Sequence, residues 1–350
     1  MHNGDILILK GEEVSNLLAS QELAIIRTVQ EAYLAHGAGS SALPHSTFLR
    51  FPDSSSNRVI ALPAYLGGGF EAAGVKWISS FPGNVALGMD RASAVLILNS
   101  TSTGRPRAIL EASVISAKRT AASAALAARC LQQEKPTYSA GLIGCGLINF
   151  ETARFLKATF PKLKSLVVFD RSPAQAEEFK ELCVETFADL EIEIARSIDA
   201  TLASSSLISI ATTAVEPHMN DLSACASDST ILHISLRDLA PELVFDNDNI
   251  VDDIEHVCRA QTTLHLAEQL SGSREFIRCT LADILTGTAA ARSAGKRLAI
   301  FSPFGLGVLD IAVGQLVCEL ALKECRGLVI DSFVPEHWLE RNRRSAIHSL

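Results

Sequence analysis

Between residues 21 and 37 apolar side chains recur with a helical period, and Leu23, Ile26, Val29, Ala32 and Tyr33 fall on one face. The period then changes. Residues 57–66, 71–79, 93–99 and 106–111 are short apolar segments set between Gly, Pro, Asn and Ser clusters, the signature of strands in a mostly antiparallel sheet. An Ala-rich stretch at 113–131 predicts a long helix. The hydrophilic run Gln132-Gln133-Glu134-Lys135-Pro136 marks a domain boundary. Beyond it strands alternate with helices. Strands are predicted at 139–143, 165–170, 191–194, 207–211, 230–235, 250–252 and 297–301, with a helix at 173–187 among those between them. That rhythm predicts a doubly wound parallel sheet. A last helix at 307–324 is expected to return to the first domain. The fold class is therefore α/β: a Rossmann domain over 133–304, and an α+β substrate and dimerisation domain over 1–132 and 305–350.

Composition narrows the class of function. Apolar residues make up 48% of the 350 and charged residues 20%, enough for buried cores and against disorder. A net charge of −8, with no basic stripe beyond the tail Arg341-Asn342-Arg343-Arg344, gives nucleic acid nothing to bind. That tail reads as a solvated helix end. The longest clean apolar run, Ala94 to Leu98, is too short to span a bilayer. The eight cysteines are scattered, without Cys-x-x-Cys or zinc spacing, so no metal site is expected. The opening Met1-His2-Asn3-Gly4-Asp5 lacks the pattern of a secretion signal, and together these features lead to the expectation of a reducing cytoplasm.

The sharpest chemical signal is Gly144-Cys145-Gly146-Leu147-Ile148-Asn149, a Gly-rich turn after a predicted strand, with a helix opening at about Asn149. Gly144 permits the tight turn, Gly146 lets the backbone approach a pyrophosphate, and the helix N-terminus at Leu147 and Ile148 offers N–H groups and a favourable dipole. Asn149 replaces the third glycine of the fingerprint. Asp170 ends the next strand, where an acid binds both ribose hydroxyls and repels a 2′-phosphate; NAD is favoured over NADP, with Arg171 softening the preference. Thr212 and Thr213 follow the strand at 207–211 and should lie beside the cofactor.

The first domain carries a rarer pattern: Gly74-Val75-Lys76-Trp77, then Ala94-Val-Leu-Ile-Leu98, Glu111-Ala-Ser113 and Lys118-Arg119-Thr120, with Ser302-Pro-Phe-Gly305-Leu-Gly-Val-Leu-Asp310 near the end. This order resembles the ornithine cyclodeaminase/mu-crystallin family over nearly the whole chain. Arg58-Val-Ile-Ala-Leu-Pro63, Met89-Asp-Arg91-Ala-Ser93 and Ile109-Leu-Glu111 resemble most the branch that oxidatively cleaves N-(2-amino-2-carboxyethyl)-L-glutamate to 2,3-diaminopropionate and 2-oxoglutarate, for siderophores or peptide antibiotics. Cyclodeaminases carry a Leu-Pro-Thr type stretch in place of Met89–Ser93. They also carry Gly-Asp-Cys-Pro-Gly-Lys in place of Leu236-Arg-Asp238-Leu-Ala-Pro241.

The resemblance implies a homodimer acting on a small amino-acid conjugate with three carboxylates. It implies Lys76 and Asp238 as catalytic residues. Lys76 sits in an apolar strand that would lower its pKa for proton exchange with the amine; Asp238 would stabilise the cationic imine and activate water. Arg119, Arg50 and Arg91 are the implied carboxylate ligands. Thr120, Ser235 and Gly305 join the implied cofactor contacts, while His45 and His233 are read as structural. The rival readings are a cyclodeaminase making proline from ornithine, a ketimine reductase, and a non-catalytic NAD(P)H-binding protein like mu-crystallin.

Overall fold

The computed structural model describes residues 4–133 and 136–334, so the arginine-bearing tail lies outside the described residues. The chain forms two compact units. The first comprises residues 1–20, 40–116 and 310–350; the second comprises 21–39 and 117–309.

The first unit is built on an eight-stranded mixed sheet. Its order runs Leu328–Ile330, Ile6–Leu9, Pro106–Glu111, Ala92–Ser100, Ala72–Ser80, Ser54–Leu66 and Ser41–Ala42, with Thr47–Phe51 also paired to Ser54–Leu66. The pairings are antiparallel except for Ile6–Leu9 with Pro106–Glu111. The four strands predicted from alternation are present, each a few residues longer or equal in span. The strands at 6–9, 41–42, 47–51 and 328–330 were not expected. They are short segments with little periodic signal; Ile6–Leu9 and Leu328–Ile330 are ordered by partners distant in sequence, Thr47–Phe51 by the adjoining strand Ser54–Leu66. Period-two alternation sends Leu62, Lys76, Leu96 and Leu110 to one face in mutual register. Trp77 and Val95, directly paired, take the other face and are exposed.

The second unit is built on eight strands, all parallel. The order is Glu191–Ile194, Ser165–Phe169, Ser139–Ile143, Leu207–Ile210, Thr230–His233, Ala299–Ser302, Asp248–Val251 and Ile277–Thr280. The chain winds outward from Ser139–Ile143 in one direction, then returns to start the other half at Leu207–Ile210. The topological switch point therefore falls between these two strands, where open parallel sheets bind their ligands. Each predicted strand here is present within two residues at either end; Ile277–Thr280 was not anticipated.

Two sequence expectations change. The division expected at 132/133 and 304/305 differs from that of the compact units at 116/117 and 309/310. Helix Glu22–Gly37 and most of Ser113–Gln132 belong with the parallel sheet, for reasons of contact: the Tyr33 and Ser123 hydroxyls bond at 2.7 Å, and Gly37 lets its helix approach Leu281–Thr286 so closely that a Cβ would lie 2.6 Å from that of Ala282. Leu23, placed on the buried face of the first helix by its period, is exposed, and Ile25 is buried in its stead. Helix Gly307–Lys323 belongs to the first unit from Asp310 onward. Among the described residues no helix is long and apolar enough to cross a membrane.

Close strand approach in the first sheet gives a stability test. A Cβ on Gly74 would overlap the carbonyl oxygen of Ile97 and crowd Ile311 at 3.1 Å. Gly74→Ala should lower unfolding free energy by about 1–3 kcal/mol, read as an earlier midpoint in urea.

Candidate functional site

The Gly-rich turn is shaped first by what Gly144 must satisfy. Gly144 has φ +93°, and a Cβ there would overlap the carbonyl of Ala211 at the end of the neighbouring strand; no L side chain satisfies both conditions. Gly146 is different. Its φ is −111°, and a Cβ there would meet nothing within 4 Å, so the chain itself has no need of glycine at that point. The space above it is what a phosphate group requires. Helix Leu147–Thr159 begins two residues earlier than expected, with Gly146 as its N-cap and no side chain bonded to its first N–H groups. Leu147 is exposed and Ile148 half-buried at this opening.

Asn149 therefore lies inside the first turn, wholly buried. Its amide donates to the carbonyls of Ile143 at 2.9 Å and Gly144 at 2.7 Å, and its Oδ1 accepts from the Ser209 hydroxyl at 2.7 Å. Where the fingerprint's third glycine permits close helix packing, this chain stitches strand, turn and neighbouring strand with a side-chain amide.

Asp170 stands directly after Ser165–Phe169. One oxygen accepts from Cys145 N–H at 2.9 Å, the other from Ser172 N–H at 2.9 Å. Gln175 returns a bond to the Cys145 carbonyl at 3.1 Å, so the two loops are tied in both directions. Arg171 beside it is exposed. Burial, then the charge of Asp170, pushes the Cys145 thiol up to about 12; it stays neutral beside any phosphate.

Asp238 is fully buried, with four side chains around its carboxylate. Oδ1 takes the Thr212 hydroxyl and His218 Nε2 at 3.2 Å; Oδ2 takes the Ser235 hydroxyl and faces His233 Nε2 at 3.3 Å. Burial, the largest influence, pushes its carboxyl up. The bond and charge of His233, with the Ser235 and Thr212 hydroxyls, outweigh it and hold the group well below the usual carboxylate range. Thr213 is exposed next to Thr212. All of these groups follow Leu207–Ile210 or Thr230–His233, at the carboxyl edge of the sheet beside the Gly144 turn.

His233, read as structural from the sequence, is wholly buried, with Nδ1 3.4 Å from the Ser302 hydroxyl. His218 was not singled out. The available signal was position: both histidines stand at or just past the carboxyl ends of neighbouring parallel strands.

Arg119 is buried, and its guanidinium lies 2.8 Å from where a Cβ on Gly305 would stand. Gly305 has φ +92° and is held by Asp252, which accepts the N–H groups of Gly305 at 2.7 Å and Phe304 at 2.8 Å. Lys118, one residue earlier, turns instead to Glu151 at 3.1 Å. Thr120 is half-buried on the same helix.

In the first unit Lys76 is 2% exposed, but its setting is not the bare apolar one expected. Its ammonium meets Asp310 at 2.9 Å and the Ser116 hydroxyl at 3.0 Å. Its ammonium is thus met by a carboxylate and a hydroxyl under the sheet. Strand periodicity showed that Lys76 was flanked by apolar neighbours; it could not show that the helix starting at Gly307 delivers a carboxylate to it. Arg50 is exposed, with its guanidinium 5.6 Å from the Phe48 ring centre. It pairs with Arg58, which pairs with Ser80. Arg50 and Arg58 thus share the Lys76 face, about 13 Å farther along the strands. Arg91, half-buried, immediately precedes the Ala92 that pairs with Ser80, and burial pulls its guanidinium down. Three arginines therefore gather at one end of this sheet, and Arg58 is the one not anticipated.

Among the described residues no group of three or more His, Cys, Asp or Glu is placed to hold a metal ion. The profile of the ornithine cyclodeaminase/mu-crystallin family matches residues 5–324. The chain belongs to that family. It is 25% identical over 337 residues to N-((2S)-2-amino-2-carboxyethyl)-L-glutamate dehydrogenase of Staphylococcus aureus (strain NCTC 8325 / PS 47), covering 95% of this chain and 100% of that one. Among solved structures, the Δ(1)-pyrroline-2-carboxylate reductase of Thermococcus litoralis, in complex with NADH and L-proline, superposes with a TM-score of 0.85 at 25% identity, covering 92% of this chain and 99% of that one. An archaeal alanine dehydrogenase dimer with bound NAD gives 0.82 at 25% identity, covering 93% and 99%.

Asp252 supplies a pH test. Burial, against the two backbone donors, pushes it up to about 6. A raised carboxyl contributes stability below its unfolded pKa of about 4 and loses it as pH rises towards about 6. Asp252→Asn removes this titration. Over that window the wild type should therefore lose up to about 3 kcal/mol relative to the variant in urea unfolding.

Proposed function

We propose that this protein is an NAD-dependent oxidoreductase that cleaves N-(2-amino-2-carboxyethyl)-L-glutamate to 2,3-diaminopropionate and 2-oxoglutarate, for siderophore or peptide-antibiotic synthesis. The observation that carries the reading is the placement of the open Gly146 turn and the ionised Asp238 at one switch point of a parallel sheet. The choice of substrate is supported by end-to-end similarity to the staphylococcal dehydrogenase and by the arginines at one end of the first sheet. A planar cation suits each substrate carboxylate.

Gly144, Gly146 and the N–H groups of Leu147 and Ile148 hold the pyrophosphate, and Asp170 takes the ribose hydroxyls with Arg171 beside it. Thr120, Thr212, Thr213, Ser235 and Gly305 line the remainder. Bound there, NAD supplies the acceptor for the hydride leaving the glutamate α-carbon. Arg119, Arg50 and Arg91 bind substrate carboxylates. Lys76, paired with Asp310, exchanges the amine proton ahead of hydride transfer. Asp238 balances the charge of the cationic imine and supports attack by water.

The protein acts as a homodimer in this reading. The archaeal alanine dehydrogenase neighbour is a dimer, and the outer face of the first sheet exposes Trp77, Val95 and Tyr65, an apolar surface that a second copy covers. Trp77→Glu should shift the sedimentation coefficient from dimer to monomer.

Net formation of reduced nicotinamide with the conjugate, read by absorbance, tests the activity. Ammonia release from ornithine without net reduction would point to a cyclodeaminase, and reduction of pyrroline-2-carboxylate to a reductase. Lys76→Ala and Asp238→Asn should bind NADH as the wild type does and lose turnover by on the order of 10²–10⁴-fold. Unchanged turnover in both variants would sink these assignments.

A further inference from the structure

We infer that His218 is the residue that exchanges protons with the attacking water and the leaving nitrogen as the imine is hydrolysed, with Asp238 acting behind it as the carboxylate that orients the imidazole. The inference rests on the cleavage reaction proposed above and adds a residue that neither the sequence motifs nor the family resemblance singled out.

The argument begins with what Asp238 cannot do. A carboxylate has about four lone-pair sites. Here Thr212, His218, Ser235 and His233 approach those of Asp238, and none of its surface is exposed. A reacting water would have to displace a donor and enter a sealed site to reach it. The donors also stabilise its ionised form, which weakens it as a proton acceptor.

His218 has the complementary properties. Its ring is 36% exposed and its Nε2 lies 3.2 Å from Asp238 Oδ1. Its Nδ1 makes no hydrogen bond among the described residues. The segment is clamped, because the N–H groups of His218 and Met219 both donate to the Asp238 carbonyl at 2.9 Å. An acceptor on Nε2 selects the tautomer with its proton there, which leaves a lone pair on Nδ1. This is the logic by which a buried acid orients a histidine base in hydrolases. His233 serves the opposite side. Wholly buried, it stands 3.3 Å from both the Asp238 backbone N–H and Oδ2, and so positions the acid.

The chemistry balances. The water oxygen bonds to the imine carbon, the C=N π pair moves to nitrogen, and the water proton passes to His218 Nδ1. That proton then moves to the amine nitrogen, which leaves with the C–N bonding pair. The hydroxyl proton goes to Nδ1 as the carbonyl forms, and solvent takes it. Nothing is oxidised or reduced in this half of the reaction.

Three measurements test the assignment. His218→Ala should bind NADH with the wild-type Kd, lose turnover on the order of 10²–10⁴-fold, and regain a large part of it when imidazole is added. His218→Gln, which can still donate to Asp238 but cannot shuttle a proton, should stay folded and remain inactive without rescue. In the wild type, the ring 15N signals that vanish in His218→Gln should report a proton on Nε2 and a bare Nδ1. Wild-type turnover in either variant, no response to imidazole, or a proton on Nδ1 overturns the proposal. If the wild type itself does not turn over the conjugate, the substrate reading falls, and the tautomer alone then decides the His218–Asp238 pairing.

Discussion

The backbone leaving strand Ser139–Ile143 must turn against the carbonyl of Ala211, and this close approach organises the second unit. Only glycine at 144 fits, with its left-handed φ and no Cβ. The turn faces the end of Leu207–Ile210 because the two halves of the sheet diverge from this point. Helix Leu147–Thr159 then starts with its first N–H groups clear of side chains. Asn149 and Asp170 brace the turn from inside and beside it, so its shape does not depend on a ligand. A preformed concavity of this kind avoids the ordering cost that a flexible loop would impose on binding.

Charge burial is the second constraint, and each unit meets it differently. In the first, Lys76 is pulled under the sheet by strand alternation and matched by Asp310 from a helix late in the chain. In the second, Asp238 is matched by hydroxyls and imidazoles and remains ionised. Removing one partner of such an arrangement leaves an uncompensated buried charge, which costs far more than the arrangement contributes when whole. Asp252 lies at the other extreme. Two backbone donors do not offset its burial, and it is pushed up to about 6 while holding the turn at Phe304 and Gly305 next to Arg119.

Much of this was legible in the residues themselves. Alternation in 57–111 and the strand–helix rhythm after residue 136 determine the two sheet types, because side-chain periods of 2 and 3.6 are local properties. The Gly144–Gly146 turn and Asp170 were legible for the same reason: each is a short motif attached to the end of a strand. Strands at 6–9, 277–280 and 328–330 were not, since they acquire their conformation from pairing partners far along the chain, and the short 47–51 takes its own from the adjoining 54–66.

Only the tertiary structure decided the partners. That Lys76 meets Asp310, that Arg119 lies over Gly305, and that His218 and His233 flank Asp238 are contacts spanning from 5 to 234 residues, and no local pattern encodes them. The same holds for helix Glu22–Gly37, which precedes the antiparallel strands in sequence yet joins the parallel-sheet unit through Gly37 and Tyr33. By itself the sequence determined the periodicities, the Gly-rich turn and which charged residues stand among apolar neighbours. Which opposite charge or donor would answer each buried group was settled only by folding, because desolvation makes a buried charge costly wherever its partner lies along the chain.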